Sequence, residues 1–90
     1  MVKTELIAKV AEVTGSTKVS AESSVNAVLD TIVGAVSANE KVQIVGFGSF
    51  EKRHREAREG RNPKDGTPIK IAATDVPYFK AGKNFKNSIK

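Results

Sequence analysis

The chain has 90 residues, 15 Lys and Arg against 10 Asp and Glu, no cysteine and a net charge of +5. That length suits one domain with a modest core. The missing thiols exclude disulfide staples and thiolate metal sites and fit a reducing compartment, and the charge favours a polyanionic partner. The charge is uneven: residues 1–45 net −1, whereas residues 46–90 carry eleven basic and five acidic side chains. The second half is therefore the expected contact surface and the first half the scaffold. No apolar run approaches the roughly 20 residues that span a bilayer. The opening Met1-Val2-Lys3-Thr4-Glu5 lacks a signal-peptide layout.

In chain order, Thr4 is the expected cap of a first helix, carried by Leu6, Ile7, Val10 and Ala11 and stopped at Gly15. Thr17 or Ser20 caps a second. Val25, Val28, Leu29, Ile32, Val33 and Val36 then form one broad stripe at helical period. Glu22, Asn26 and Asp30 lie opposite, which is not a face that anionic lipid attracts. Asn39-Glu40 reads as a turn and Lys41–Val45 as a strand. Gly46-Phe47-Gly48-Ser49-Phe50 combines a tight bend with two aromatics expected to close the core.

From Glu51 to Gly60 only Ala57 is apolar. This stretch offers no stripe to dock. Asn62-Pro63-Lys64-Asp65-Gly66-Thr67-Pro68 is dense in turn residues, and Ile69-Lys70-Ile71 alternates again. The expectation is a long β-hairpin arm: out along 50–61, turning near 63–68, back along 69–76. Val76-Pro77-Tyr78-Phe79 reads as an apolar turn. Residues 84–90 form a short helix with Phe85 and Ile89 one turn apart. Three segments follow within one domain: a helical dimerisation part and first strand (1–45), sheet and arm (46–76), and a closing strand with a C-terminal helix (77–90).

Without the arm, fewer than about 70 residues remain to make a core, which is marginal for a single chain. The unmatched stripe and the aromatics therefore predict a dimer, with unfolding that depends on protein concentration.

Arg53, Arg55, Arg58 and Arg61 lie on the arm, with Lys64 and Lys70 nearby. Arginine suits phosphates and the minor groove because its fork is planar, always charged and weakly hydrated. Glu51, Glu56 and Glu59 are expected to pair with these arginines. Pro63 is either a plain turn former or an apolar wedge of the kind minor-groove proteins insert between base steps. His54 is a surface arm residue. No metal or cofactor site and no catalytic constellation stands out. A single-strand or RNA binder would need stacking aromatics, and residues 51–77 hold none.

Gly46-Phe47-Gly48-Ser49-Phe50, with Arg55, Arg58, Gly60, Arg61, Asn62 and Pro63, resembles the signature of the HU and integration host factor family of bacterial histone-like proteins. The likeness runs end to end and is closest to HU. It implies an α+β fold: an intertwined dimer with a helical body, a small antiparallel sheet and a protruding β-arm per chain. It further implies a nucleoid-associated, cytoplasmic protein that bends and compacts double-stranded DNA with little sequence preference, favouring bent or nicked duplex. The arms wrap the minor groove, and Pro63 matches the intercalating proline. Arg53, Arg55, Arg58 and Arg61 match groove or phosphate contacts, and Asn62 a tip residue. Lys80, Lys83 and Lys86 match basic positions on the saddle or flank, and Lys3 a further flank position. The alternative within the family is a sequence-selective bender of the integration host factor type, which usually pairs two different subunits. The family commonly has threonine where Asp65 stands, and proline where Ala72 and Ala81 stand. An acid beside the wedge is expected to weaken phosphate approach, and loss of the prolines to loosen the arm base.

Overall fold

A computed structural model describes all residues, Met1–Lys90. Helix α1 covers Lys3–Thr14 and helix α2 covers Lys18–Ser37. Strand β1 is Val42–Ile44, β2 Gly48–Arg55, β3 Arg58–Arg61, β4 Pro68–Ile71 and β5 Thr74–Ala81; helix α3 is Lys83–Ile89. The α+β class with a projecting hairpin is thus as expected. The chain forms two compact units, Met1–Gly34 and Ala35–Lys90, with α2 running from the first into the second.

In the first unit the helix ends follow their local chemistry. Thr4 lies inside α1 rather than capping it: the N-cap is Val2, which makes no side-chain cap bond. Gly15 does stop the helix, at φ 68°. The Ser16 N–H reaches Ala11 O and the Gly15 N–H reaches Glu12 O, the paired bonds of a Schellman turn. Thr17, not Ser20, caps α2, its Oγ1 accepting from the Ser20 N–H at 3.1 Å. The core here is Ile7, Ala11 and Ala21, with Val10 and Val25 packed against it. Along the rest of the stripe Val28, Leu29 and Val33 remain 56%, 42% and 64% exposed.

The second unit begins where α2 ends. Asn39 adopts φ 65°, and the Asn39 and Glu40 N–H groups bond Val36 O and Ala35 O. It is the Gly15 arrangement again, with asparagine tolerating the left-handed backbone. A three-stranded antiparallel sheet follows, in the order β1-β2-β5. Val42 pairs with Phe50 and Ile44 with Gly48, closing a short hairpin over residues 45–47. Strand β1 is shorter at both ends than the expected 41–45. Strand β2 then pairs with β5 from Gly48↔Ala81 to Arg55↔Thr74. Pro77 therefore sits inside a strand and not in a turn. It is accommodated because β5 is a sheet edge, where a missing N–H donor is tolerated. The segment 77–90 accordingly begins within β5.

Residues directly opposite in an antiparallel pair share a face. One face of this sheet carries Phe50 and Phe79, 4.8 Å apart between ring centres, and Phe47 and Phe85 join them. These rings find one another but do not close a core, since Phe47, Phe79 and Phe85 stay exposed and Val36 is the only hydrophobic side chain buried in this unit. Nor does Ile89 dock, at 77% exposed.

Gly48 is where the bend meets this cluster. A Cβ there would lie 2.6 Å from both Lys80 O and the Phe79 ring. Because the first is backbone, the clash cannot be relieved by a rotamer change. Gly48→Ala should therefore destabilise the protein by about 1–3 kcal/mol. Thermal denaturation at fixed protein concentration measures this, and an unchanged midpoint would refute it.

Candidate nucleic-acid interface

The other face of the β1-β2-β5 sheet is cationic. Ser49, Glu51, Arg53 and Arg55 alternate onto it from β2, and their partners Lys80, Tyr78, Val76 and Thr74 complete it. Arg53 is held there from two sides. Its guanidinium carbon stands 3.5 Å over the Tyr78 ring centre, and its Nε is 3.7 Å from Glu51 Oε1. A stacked guanidinium keeps its charge and its outer N–H donors while losing rotamer freedom. The sheet thus brings Arg53, Arg55 and Lys80 onto one surface. In the sequence Val76–Phe79 reads as a turn, which hides the contribution of Tyr78; the strand register supplies it.

Beyond Arg55 the ribbon breaks on both sides, at Glu56-Ala57 and at Ala72-Ala73, so the expected hairpin arm is built of two paired segments. The distal ribbon pairs Arg58↔Ile71, Glu59↔Lys70, Gly60↔Ile69 and Arg61↔Pro68. Arg58 therefore shares a face with Ile69 and Ile71, while Arg61 and Lys70 lie on the opposite face. Positive charge is presented from both sides of the ribbon. At Gly60 the ribbon is close-packed: a Cβ there would meet the end of the Ile71 side chain at 3.0 Å, and that side chain would have to shift slightly to admit it.

The acidic residues pair differently from the expectation. Glu51 does meet Arg53, but Glu56 meets His54 Nε2 at 3.3 Å, and Glu59 has no ion-pair partner. His54 Nδ1 lies 2.8 Å from Asp75 Oδ1 on the neighbouring strand. Only a ring with Nδ1–H can donate to that carboxylate, and the Glu56 contact becomes an ion pair only when Nε2 also carries a proton. Arg55 and Arg58 have no carboxylate partner and remain available to an external anion.

The tip spans residues 62–67. The Asn62 N–H donates to Thr67 O at 2.8 Å, and the Gly66 N–H to Asn62 O at 2.7 Å. Asn62 Oδ1 accepts from the Lys64 N–H at 2.9 Å. Asp65 Oδ1 accepts from both the Thr67 N–H at 2.9 Å and the Thr67 hydroxyl at 2.6 Å. Those bonds, the hydroxyl's first and then the N–H's, hold the carboxyl below its ordinary value of 3.8, so it is ionised at neutral pH. Arg61 Nη1 donates to Gly66 O at 3.2 Å. Gly66 supplies the left-handed angle, φ 74°, that the turn requires. Pro63 and Lys64 stand exposed at the end.

A groove of about 700 Å³ lies between the β1–β2 turn and α3. Lys80, Lys83 and Lys86 line it with Lys41 and Lys90, and no acid does. Lys90 extends the positive face that Lys80, Lys83 and Lys86 give this end of the chain, whereas Lys41 has no motif to mark it and is brought in only by this clustering. Lys3 opens α1 in the other compact unit. No group of three or more His, Cys, Asp or Glu residues is arranged to hold a metal.

Comparison with known proteins agrees with this geometry. The family model described as "Bacterial DNA-binding protein" matches residues 1–90. The chain is 54% identical over 88 residues to DNA-binding protein HU of Streptococcus downei, covering 98% of this chain and 97% of that one. The HU of Lactococcus lactis subsp. lactis (strain IL1403) matches at the same identity and coverage. Among solved structures, an Anabaena HU–DNA cocrystal structure superposes with a TM-score of 0.91 at 52% identity, covering 99% of this chain and 97% of that chain. HU from Thermotoga maritima superposes at 0.72 with 37% identity, both chains being fully covered.

Proposed function

The chain belongs to the bacterial DNA-binding protein family, and from that premise we propose that it is an architectural double-stranded DNA-binding protein of the HU type. It is a binding protein and not an enzyme. It bends and compacts duplex with little sequence preference, and the integration host factor reading has no observation of its own in its favour. One arrangement carries this: a sheet face with Arg53, Arg55 and Lys80 continues into a ribbon charged on both faces and capped by an exposed proline. Phosphates supply most of the affinity of such a surface, and they carry no sequence information directly.

The working form is a dimer. Each compact unit leaves apolar side chains uncovered, Val28, Leu29 and Val33 on α2 in the first and the phenylalanine cluster in the second. A second copy covers them with a surface of the same kind, as an isologous interface does. The three segments 1–45, 46–76 and 77–90 then serve as one functional domain, dimerising, gripping and closing. The helices are none of them long and apolar enough to cross a membrane, and the protein's place is on the nucleoid in the cytoplasm.

On the DNA, the arms follow the minor groove and Pro63 enters a base step. Proline is compact and stiff and brings no backbone N–H that would need a partner inside the stack. Arg53, Arg55, Arg58, Arg61, Lys64 and Lys70 hold the groove walls, and Asn62 sets the tip. Lys80, Lys83, Lys86 and Lys3 extend the footprint onto flanking phosphates.

The test is a binding and bending titration of wild type and Pro63→Ala on intact, nicked and single-stranded DNA at two salt concentrations. Wild type should prefer duplex, most of all nicked duplex, and weaken steeply with salt. Pro63→Ala should keep most of its affinity and lose most of its bend. Equal bend angles for the two proteins would remove the wedge, and a preference for single strands would remove the function.

A further inference from the structure

We propose that Asp65 is a positioning residue for Pro63, closing the tip turn from its far side so that the proline ring leaves the arm in one fixed direction. The inference rests on the wedge reading above and deepens it.

The tip is closed by side chains at both of its ends. On the near side Asn62 Oδ1 takes the Lys64 N–H, bridging over Pro63. On the far side Asp65 Oδ1 takes two donors of one residue, the Thr67 N–H and hydroxyl. Between them the Gly66 N–H crosses back to Asn62 O. Pro63 makes none of these bonds, so its ring is carried by a frame built entirely from its neighbours. An ionised acceptor binds such donors about twice as strongly as a neutral one. This accounts for an acid at a place where phosphates would disfavour it. Asp65 exchanges affinity for a rigid wedge.

Geometry and charge can be separated by substitution. Asp65→Asn keeps an oxygen in the same place and removes the charge. Asp65→Ala removes both. The charge effect of an exposed group should raise affinity by about two- to fivefold in either variant. Bending should part them: Asp65→Asn, whose neutral oxygen keeps the turn with weaker bonds, should hold most of the wild-type bend, and Asp65→Ala should lose a large share of it despite binding no more weakly. Thr67→Val, which deletes only the hydroxyl bond, should fall between.

The experiment is energy transfer between the labelled ends of a nicked duplex, read at saturating protein, with affinity titrated separately. Thermal midpoints check that the body is unchanged, since all three variants lie at the exposed tip. If wild type does not bend the duplex, the wedge reading fails whatever Asp65 does. If wild type bends it and Asp65→Ala bends it equally, only the role of Asp65 is overturned. Loss of bend in Asp65→Asn equal to that in Asp65→Ala would overturn it too, because charge rather than turn geometry would then be responsible.

Discussion

Leu29→Asp should yield a chain that no longer unfolds cooperatively at micromolar concentration and no longer sediments as a dimer. Leu29 is 42% exposed in the isolated chain and lies between Val28 and Val33, which are more exposed still. The unit containing them buries only Ile7, Ala11 and Ala21. Two alanines and one isoleucine cannot offset the conformational entropy of two ordered helices. The rest must come from the partner, at roughly 1.5–3 kcal/mol for each large side chain it buries. An aspartate there would take an unpaired carboxylate into the interface, and the two-fold symmetry would do so twice. Circular dichroism against temperature and sedimentation equilibrium measure the outcome. Wild-type mass together with a wild-type midpoint would place the dimer contact elsewhere.

Arg58→Ala combined with Arg61→Ala should weaken duplex binding by on the order of 100-fold or more at low salt, while leaving the thermal midpoint unchanged. Arg58 has no partner in the protein and Arg61 touches only Gly66 O, so neither holds the fold together. In a dimer the double variant removes four charges. If each neutralises one phosphate, the slope of log affinity against log salt should shrink by roughly 3 to 4 units. The slope is the sharper readout, because it counts displaced counterions and not strength. An affinity loss with an unchanged slope would mean that these side chains do not meet phosphates.

Much of this was legible in the sequence because the signals were local. Gly15 stops a helix, Thr17 caps one, and Asp65-Gly66 turns a hairpin through backbone angles that few residues adopt. The arm was recognisable from what it lacks, namely any apolar stripe to dock. What escaped depended on register. Pro77 reads as a breaker until β5 is known to be an edge strand. Tyr78 becomes the support of Arg53 only when Glu51↔Tyr78 pairing puts both on one face. Charge counting pairs Glu56 with an arginine, whereas at the break of Glu56-Ala57 it meets His54 instead. Hydrophobicity alone places the phenylalanines in a core, whereas the exposure of Phe47, Phe79 and Phe85 shows that one chain does not complete that core.

The two facing breaks in the ribbon, Glu56-Ala57 and Ala72-Ala73, have a mechanical meaning. They interrupt the strand ladder between an eight-residue pairing and a tip closed by its own hydrogen bonds, and backbone outside a ladder is the part of a ribbon that bends most easily. A gripper built that way does not need its jaws set to one gap. The distal segment can tilt to follow whatever curvature the duplex already has, while the tip keeps its form. Elasticity is thereby placed in the ribbon and kept apart from the chemistry of the grip.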